Sequence, residues 1–85
     1  MRRKDNAEIL LRELYEKLEV GEIELPDAIR SMRKTMGITQ ENFSKMIGVD
    51  KRVLAGFENG SGNPTLKIMN KILGVFGLKL TARRP

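Results

Sequence analysis

Two short segments on either side of a glycine constrain the fold more than any other feature of the sequence. The glycines that bound and separate them are Gly37, Gly48 and Gly60. Thr39 stands near the start of the first segment and Asp50 near the start of the second, where such side chains cap helices. Apolar residues then recur at helical spacing: Phe43, Met46, Ile47, Leu54 and Phe57. The pattern predicts a helix over 40–47, a tight turn at Gly48 and a second helix after Asp50, which together make a helix-turn-helix.

The composition limits what such a chain can do. Its 85 residues suit one small domain, and it contains neither cysteine nor histidine. Disulfides, thiolate ligands and the commonest metal ligand are therefore absent, as is the side chain that titrates near neutral pH. We expect no enzymatic activity, no cofactor and no metal site. No apolar run is long enough to span a bilayer, so we expect a cytoplasmic protein that does not bind membranes.

Charge is distributed unevenly along the chain. Residues 1–25 carry five Lys or Arg against seven Asp or Glu, whereas residues 26–85 carry eleven against four. The basic part is the part that contains the helix-turn-helix. Such a surface attracts a polyanion, because neutralised phosphates release their counterions. Charge alone leaves open a solvated surface that is merely basic.

An additional helix is expected near the N-terminus. Residues Asp5 to Glu8 have the form of a capping box, and leucines then recur at helical spacing as far as Gly21. We expect this helix over 6–19, within an N-terminal extension at 1–25. Its other face is acidic, so it should avoid DNA and either pack on its own domain or meet a partner.

Two further helices complete the predicted domain at 26–77. The first begins at Pro26, which the first turn tolerates, and ends at Gly37. The second begins at Pro64 or Thr65. Its core candidates are Leu66, Ile68, Met69, Ile72, Leu73 and Phe76.

The C-terminal segment at 78–85 alternates apolar and polar residues, as a half-buried strand does. The predicted strand residues are Leu78, Lys79, Leu80, Thr81 and Ala82. No second strand is predicted in the chain, and a lone strand leaves its backbone groups unpaired. Antiparallel pairing of two copies would give a homodimer suited to a palindromic DNA site. The alternative is a frayed tail.

The start of the fourth helix is the candidate base-reading surface. Lys51 and Arg52 lie at the positive end of the helix macrodipole, where cations are disfavoured by roughly 0.3–1 kcal/mol each. A DNA groove offsets this, since phosphates attract both side chains and either can donate to guanine in the major groove. Val53 can touch a thymine methyl group. Ala55 and Gly56 are small enough to admit the DNA closely.

Other polar residues are candidates for phosphate contacts, which position a protein without specifying sequence. Thr39 and Gln40 begin the third helix, whose free N–H groups suit a phosphate. The Gln40 side chain can instead brace the next helix. The remaining candidates are Lys45, Asn59, Ser61 and Lys67.

Glu58 is predicted to face inward, and a buried carboxylate needs a partner. Arg33 on the second helix is the candidate. Such a pair would hold the two helices together, and losing one partner should destabilise the fold by a few kcal/mol.

These residues resemble the Cro/C1-type helix-turn-helix family, also called the Xre family. The resemblance covers roughly residues 26–77. It is carried by Ile29-Arg30, Arg33, Gly37-Ile38-Thr39-Gln40, Phe43, Ile47-Gly48-Val49, Leu54, Phe57-Glu58-Asn59-Gly60, Pro64-Thr65-Leu66 and Ile72-Leu73. It implies sequence-specific DNA binding by a dimer, with Gln40 near phosphate and the start of the fourth helix reading bases.

Within that family the chain resembles the HipB-like repressors, which are the antitoxin partners of HipA-type kinases. That likeness rests on Phe57-Glu58-Asn59, Thr65-Leu66, Lys71-Ile72-Leu73 and the alternating tail. It implies an autorepressor that also binds a kinase toxin. Many family members have a polar residue in place of Gly56 and an alanine in place of Ser44, and the helix at 6–19 lies outside the usual family core.

The sequence thus predicts an all-α, five-helix, lambda-repressor-like domain with an N-terminal extra helix and a C-terminal strand that pairs across a dimer. The leading hypothesis is a DNA-binding repressor and antitoxin. The alternatives are a stand-alone repressor of the same fold and a protein-interaction module that acts through the acidic N-terminal helix.

Overall fold

The computed structural model describes the backbone of residues 3–82 and the side chains of residues 6–82. Five helices follow one another in this part of the chain. They are α1 (Arg3–Glu19), α2 (Leu25–Thr35), α3 (Gln40–Ile47), α4 (Lys51–Glu58) and α5 (Leu66–Gly74). The described residues contain no strand and no helix that is long and apolar enough to cross a membrane.

Side-chain caps determine where α3, α4 and α5 begin. The Thr39 hydroxyl accepts a hydrogen bond from the Asn42 amide at 3.1 Å, and the Asp50 carboxylate accepts one from the Arg52 amide at 2.7 Å. The Thr65 hydroxyl accepts one from the Ile68 amide at 3.2 Å. Each bond satisfies an amide that lacks a partner within its helix. The predicted caps at Thr39 and Asp50 are therefore confirmed, and of the two candidates for α5 the cap is Thr65.

Gly48 makes the turn between α3 and α4. Its φ of +66° is a left-handed conformation, which a residue with a Cβ adopts at a cost. Glycine at this position ends α3 and allows the chain to change direction within a few residues, before α4 begins at Lys51. The predicted capping box of α1, in contrast, is wrong: the helix begins at Arg3, so Asp5 lies inside the helix rather than at its start.

The core lies where α2 to α5 meet. Its buried residues are Ile29, Met32, Phe43, Leu54, Phe57, Met69, Ile72, Leu73 and Phe76. The rings of Phe43 and Phe76 stack with their centroids 5.8 Å apart, in the separation range at which aromatic rings attract one another.

Two predicted core residues lie outside the core. Met46 is 60% exposed and Leu66 is 72% exposed. Helix α3 has only two turns and buries a narrow stripe, which consists of Phe43 and Ser44. Leu66 is the first residue of α5 and projects beyond the edge of the core.

Helix α1 packs on its own chain, which was one of the two expectations for it. Leu11, Leu14, Tyr15 and Leu18 pack against the core. The Tyr15 hydroxyl donates to the Phe76 carbonyl at 3.1 Å, which joins α1 to the segment after α5. The acidic face of the helix is left exposed to solvent.

The tail at 78–82 forms no strand in this single chain, so the strand predicted there is not present in the structure. Leu78 packs against the core, and its amide donates to the Leu73 carbonyl at 3.0 Å. Lys79 to Ala82 are exposed. A strand needs a neighbouring strand for its hydrogen bonds, and none lies among residues 3–82. Pairing with a second copy therefore stays a prediction.

Candidate nucleic-acid interface

The first turn of α4 presents two neighbouring cations to solvent. Lys51 and Arg52 are exposed, and no acidic residue occupies this turn. The cap at Asp50 lies just before it and accepts the Arg52 amide. Val53 and Ala55 are half-buried. Two cations beside the positive end of a helix favour a ligand that carries negative charge.

A buried polar network fixes α4 from beneath. Arg33 of α2 and Glu58 of α4 form the predicted ion pair, in which Arg33 Nε donates to Glu58 Oε2 and Nη2 donates to Oε1, each at 2.8 Å. Both side chains are almost fully buried, with Arg33 7% and Glu58 2% exposed. Arg33 Nη1 also donates to the Ile38 carbonyl at 2.7 Å. The parallel, charge-assisted bonds fix the two helices in orientation as well as distance.

Gln40 joins the same network. Its Nε2 donates to Glu58 Oε1 at 3.1 Å, so the side chain braces α4 in this structure, as the second of its two predicted roles requires. Three consecutive helices thereby meet at one carboxylate. Nε2 carries a second N–H, so the predicted phosphate contact of the Gln40 side chain is compatible with this bond.

The other phosphate candidates differ in how free their side chains are. Thr39 and Lys67 are exposed, and Lys45 Nζ lies 3.8 Å from Glu41 Oε1 in an exposed pair on α3. Asn59 and Ser61 are bonded to each other: Asn59 Oδ1 accepts from the Ser61 amide at 2.9 Å and from its hydroxyl at 2.5 Å. The Asn59 amide nitrogen stays available, whereas the Ser61 hydroxyl would have to exchange its bond to Asn59 for one to a phosphate.

Gly56 faces the loop that follows α4 rather than open solvent. A Cβ at this position would lie 3.5 Å from the Gly62 Cα. That distance is an ordinary van der Waals contact, so packing of the loop does not by itself require glycine at position 56. Base reading therefore stays a prediction for Lys51, Arg52, Val53, Ala55 and Gly56.

Sequence reasoning missed the residues that face α4 from this loop and from α5. An open groove of about 250 Å³ separates the two walls. Arg52, Val53 and Gly56 form one wall, and the other is formed by Gly62, Asn63, Pro64, Thr65 and Ile68. No local sequence pattern brings residues 52 and 63 together, so only the folded chain reveals this groove.

The family comparison agrees with this geometry. A family model described as Helix-turn-helix matches residues 29–82, which include α3, the turn and α4. The chain belongs to the Cro/C1-type helix-turn-helix family. It is a helix-turn-helix transcriptional regulator, and the family binds DNA.

Several named proteins are similar to this regulator. An uncharacterized HTH-type transcriptional regulator of Archaeoglobus fulgidus is 36% identical over 52 residues, which cover 61% of this chain and 74% of that protein. Antitoxin HipB of Escherichia coli is 34% identical over 58 residues, or 68% of this chain and 66% of that protein. Human endothelial differentiation-related factor 1 is 32% identical over 66 residues, or 78% of this chain and 41% of that protein. No solved structure matches the chain significantly.

Proposed function

We propose that this regulator is a sequence-specific repressor that acts by occupying an operator. The observation that carries the proposal is the exposed Lys51–Arg52 pair on the first turn of α4, held from beneath by the buried Arg33–Glu58 pair. A rigid helix whose cations point outward is what major-groove recognition requires. Repression by occupancy needs no chemistry from the chain.

In this proposal the contacts divide by role. Lys51 and Arg52 donate to base edges, and Val53 and Ala55 offer apolar contacts to them. Gly56 lets the helix backbone approach the DNA closely. Phosphates are contacted on either side by residues of α3, of the loop after α4 and of α5. These are Thr39, Gln40, Lys45, Asn59, Ser61 and Lys67, which set the orientation of α4 without reading sequence.

We further propose that the operator is palindromic and that two copies bind it. The support is physical: Leu80 is 37% exposed in the tail, and the alternating segment has no partner strand among residues 3–82. An open groove of about 440 Å³ beside the tail is lined by Leu18, Glu19, Leu78, Lys79 and Thr81. Antiparallel pairing of two tails would satisfy their backbone groups and cover Leu80.

The antitoxin role is a narrower proposal. It is supported by the similarity to antitoxin HipB and implies a HipA-like kinase as a second partner. A stand-alone repressor of the same fold is the alternative. A gene for a HipA-like kinase beside the gene for this chain, and a stable complex of the two purified products, would favour the antitoxin. Absence of both would leave the stand-alone repressor.

Selection of duplexes from a random-sequence library tests the DNA proposal. The purified protein should enrich a palindromic sequence, and its affinity for that duplex should fall steeply as salt is added, because each phosphate contact releases counterions. A protein-interaction module working through the acidic face of α1 would enrich no sequence. A failure to bind any duplex at low salt would refute the proposed function.

A further inference from the structure

The loop after α4 approaches the helix backbone so closely that one of its residues has to be glycine. We call residues 59–62 the return loop. An ideal Cβ on Gly62 would lie 2.9 Å from the Gly56 carbonyl carbon and 3.0 Å from the Phe57 nitrogen. Gly62 does not have a positive φ, so its φ does not itself require glycine. Space, rather than conformational freedom, therefore excludes a side chain there.

Hydrogen bonds hold the return loop against α4. The amides of Ser61 and Gly62 both donate to the Gly56 carbonyl, at 3.0 Å and 2.9 Å. The Asn59 side chain accepts from the Ser61 amide and hydroxyl, which closes the loop on itself. The return loop is thus hydrogen-bonded to the backbone of α4.

The return loop leads directly into α5. Pro64 restricts the chain just after it, and the Thr65 cap starts the helix two residues beyond Asn63. Lys67 follows in the first turn and is exposed. Across the groove from Thr65 lies Arg52 of α4. Only Asn63 and the conformationally restricted Pro64 therefore separate Gly62 from the Thr65 cap of α5.

We propose that the Gly56–Gly62 contact is a positioning element that sets the distance between α4 and the start of α5, and with it the position of Lys67 relative to α4. This inference rests on the proposed DNA binding. It assigns Gly62 no contact with DNA: the residue acts by placing Lys67 where a phosphate lies when α4 occupies the major groove. Loss of the contact should therefore weaken the phosphate contact of Lys67 and leave base reading by α4 intact.

The test compares Gly62→Ala with a matched control, Gly74→Ala. Gly74 also lacks a positive φ, but a Cβ there would meet nothing within 4 Å. Affinity is measured against salt for two duplexes, one selected by the wild-type protein from a random library and one with the same bases shuffled. Gly62→Ala should weaken both duplexes by the same factor and lower the salt slope by about 1, as expected for one lost phosphate contact. Gly74→Ala should change neither.

A double-mutant cycle separates positioning from loss of stability. Lys67→Ala should weaken binding in the wild-type protein and have little further effect in Gly62→Ala, because that phosphate contact is already lost. Lys45→Ala, on α3, should have the same effect in both backgrounds. If Gly62→Ala only reduced the fraction of folded protein, it would not selectively abolish the effect of Lys67→Ala while leaving that of Lys45→Ala unchanged. Equal effects of Lys67→Ala in both backgrounds would overturn the inference.

A second variant and the binding of the wild-type protein keep the test decisive. If Gly62→Ala does not fold by circular dichroism, Asn59→Ala takes its place, because it removes the acceptor of the Ser61 donors without adding an atom. Any phosphate contact of Asn59 itself is lost with and without Lys67→Ala, so it cancels in the cycle. The same coupling to Lys67 is then required, and additivity would overturn the inference. If the wild-type protein binds no duplex, the proposed function itself fails. If it binds while the coupling is absent, only the positioning role fails.

Discussion

Glu58→Ala should destabilise the domain more than any other single truncation on α4 that leaves the apolar core intact. The substitution leaves Arg33, 7% exposed, with Nε and Nη2 unpaired and only the bond from Nη1 to the Ile38 carbonyl. Gln40 loses its acceptor at the same time. Breaking a buried ion pair on one side costs about 3–5 kcal/mol. Alanine is a good helix former, so helix propensity adds no penalty at this position.

That loss is large for a chain of this size. Folded domains are stable by about 5–15 kcal/mol in total, and small ones lie at the low end. Each kcal/mol lowers the melting temperature of a 60–100-residue domain by about 4–8 °C. Thermal unfolding followed by circular dichroism should therefore show a decrease of roughly 12–40 °C. A melting temperature within about 3 °C of the wild-type value, less than 1 kcal/mol by the same scale, would refute the reasoning.

The chain contains a matched control for burial. Arg30 Nη2 lies 2.9 Å from Asp27 Oδ1, but these side chains are 42% and 51% exposed. Arg30→Ala breaks a contact of the same chemistry and nearly the same length, and exposed pairs contribute only about 0–1 kcal/mol. If Arg30→Ala lowers the melting temperature only slightly and Glu58→Ala lowers it strongly, the difference is due to burial of the ion pair. Replacing both Arg33 and Glu58 by apolar residues should recover most of the loss, because no charge is then left unpaired.

The remaining predictions concern DNA, the dimer and α1. Arg52→Ala should cost roughly 1–3 kcal/mol at one base pair of the selected duplex and little on shuffled DNA, as measured by fluorescence anisotropy; equal losses on both duplexes would contradict base reading. Leu80→Glu should convert a dimer to a monomer in analytical ultracentrifugation, and a wild-type monomer at micromolar concentration would refute the dimer. Tyr15→Phe removes the hydrogen bond to the Phe76 carbonyl and should lower stability to urea by about 0.5–1.5 kcal/mol; no change would show that α1 is held by apolar contacts alone.

Local rules were enough to predict the helices of the domain. The bounds of α3 follow from a capping hydroxyl at Thr39 and a left-handed glycine at Gly48, both of which act within one turn of the chain. Asp50 determines the start of α4 in the same way. The partner of Glu58 was also predictable, since a carboxylate on the apolar face of a helix needs a cation and Arg33 occupies the facing position.

Features that depend on tertiary contacts were not predictable from local patterns. The helical period places Met46 with the core, but a two-turn helix buries fewer residues than its period allows, and Met46 is exposed. Nothing in the sequence shows that the return loop folds back onto Gly56 and Asn59, both of which stay predicted DNA contacts. Their surroundings, the Gly62 backbone and the Ser61 donors, exist only once the loop is closed.

The polar network explains why α4, the helix proposed to read bases, can be short. Helix α4 spans only Lys51–Glu58, and an isolated helix of this length is not stable in water. Its last residue, Glu58, receives bonds from Arg33 of α2 and Gln40 of α3, and no buried side-chain nitrogen or oxygen within residues 6–82 lacks a partner. The N-terminal end of the same helix carries the exposed cations. Fixing one end of a two-turn helix by directional bonds fixes the other, so in the proposed complex the buried carboxylate determines where Arg52 would meet the DNA.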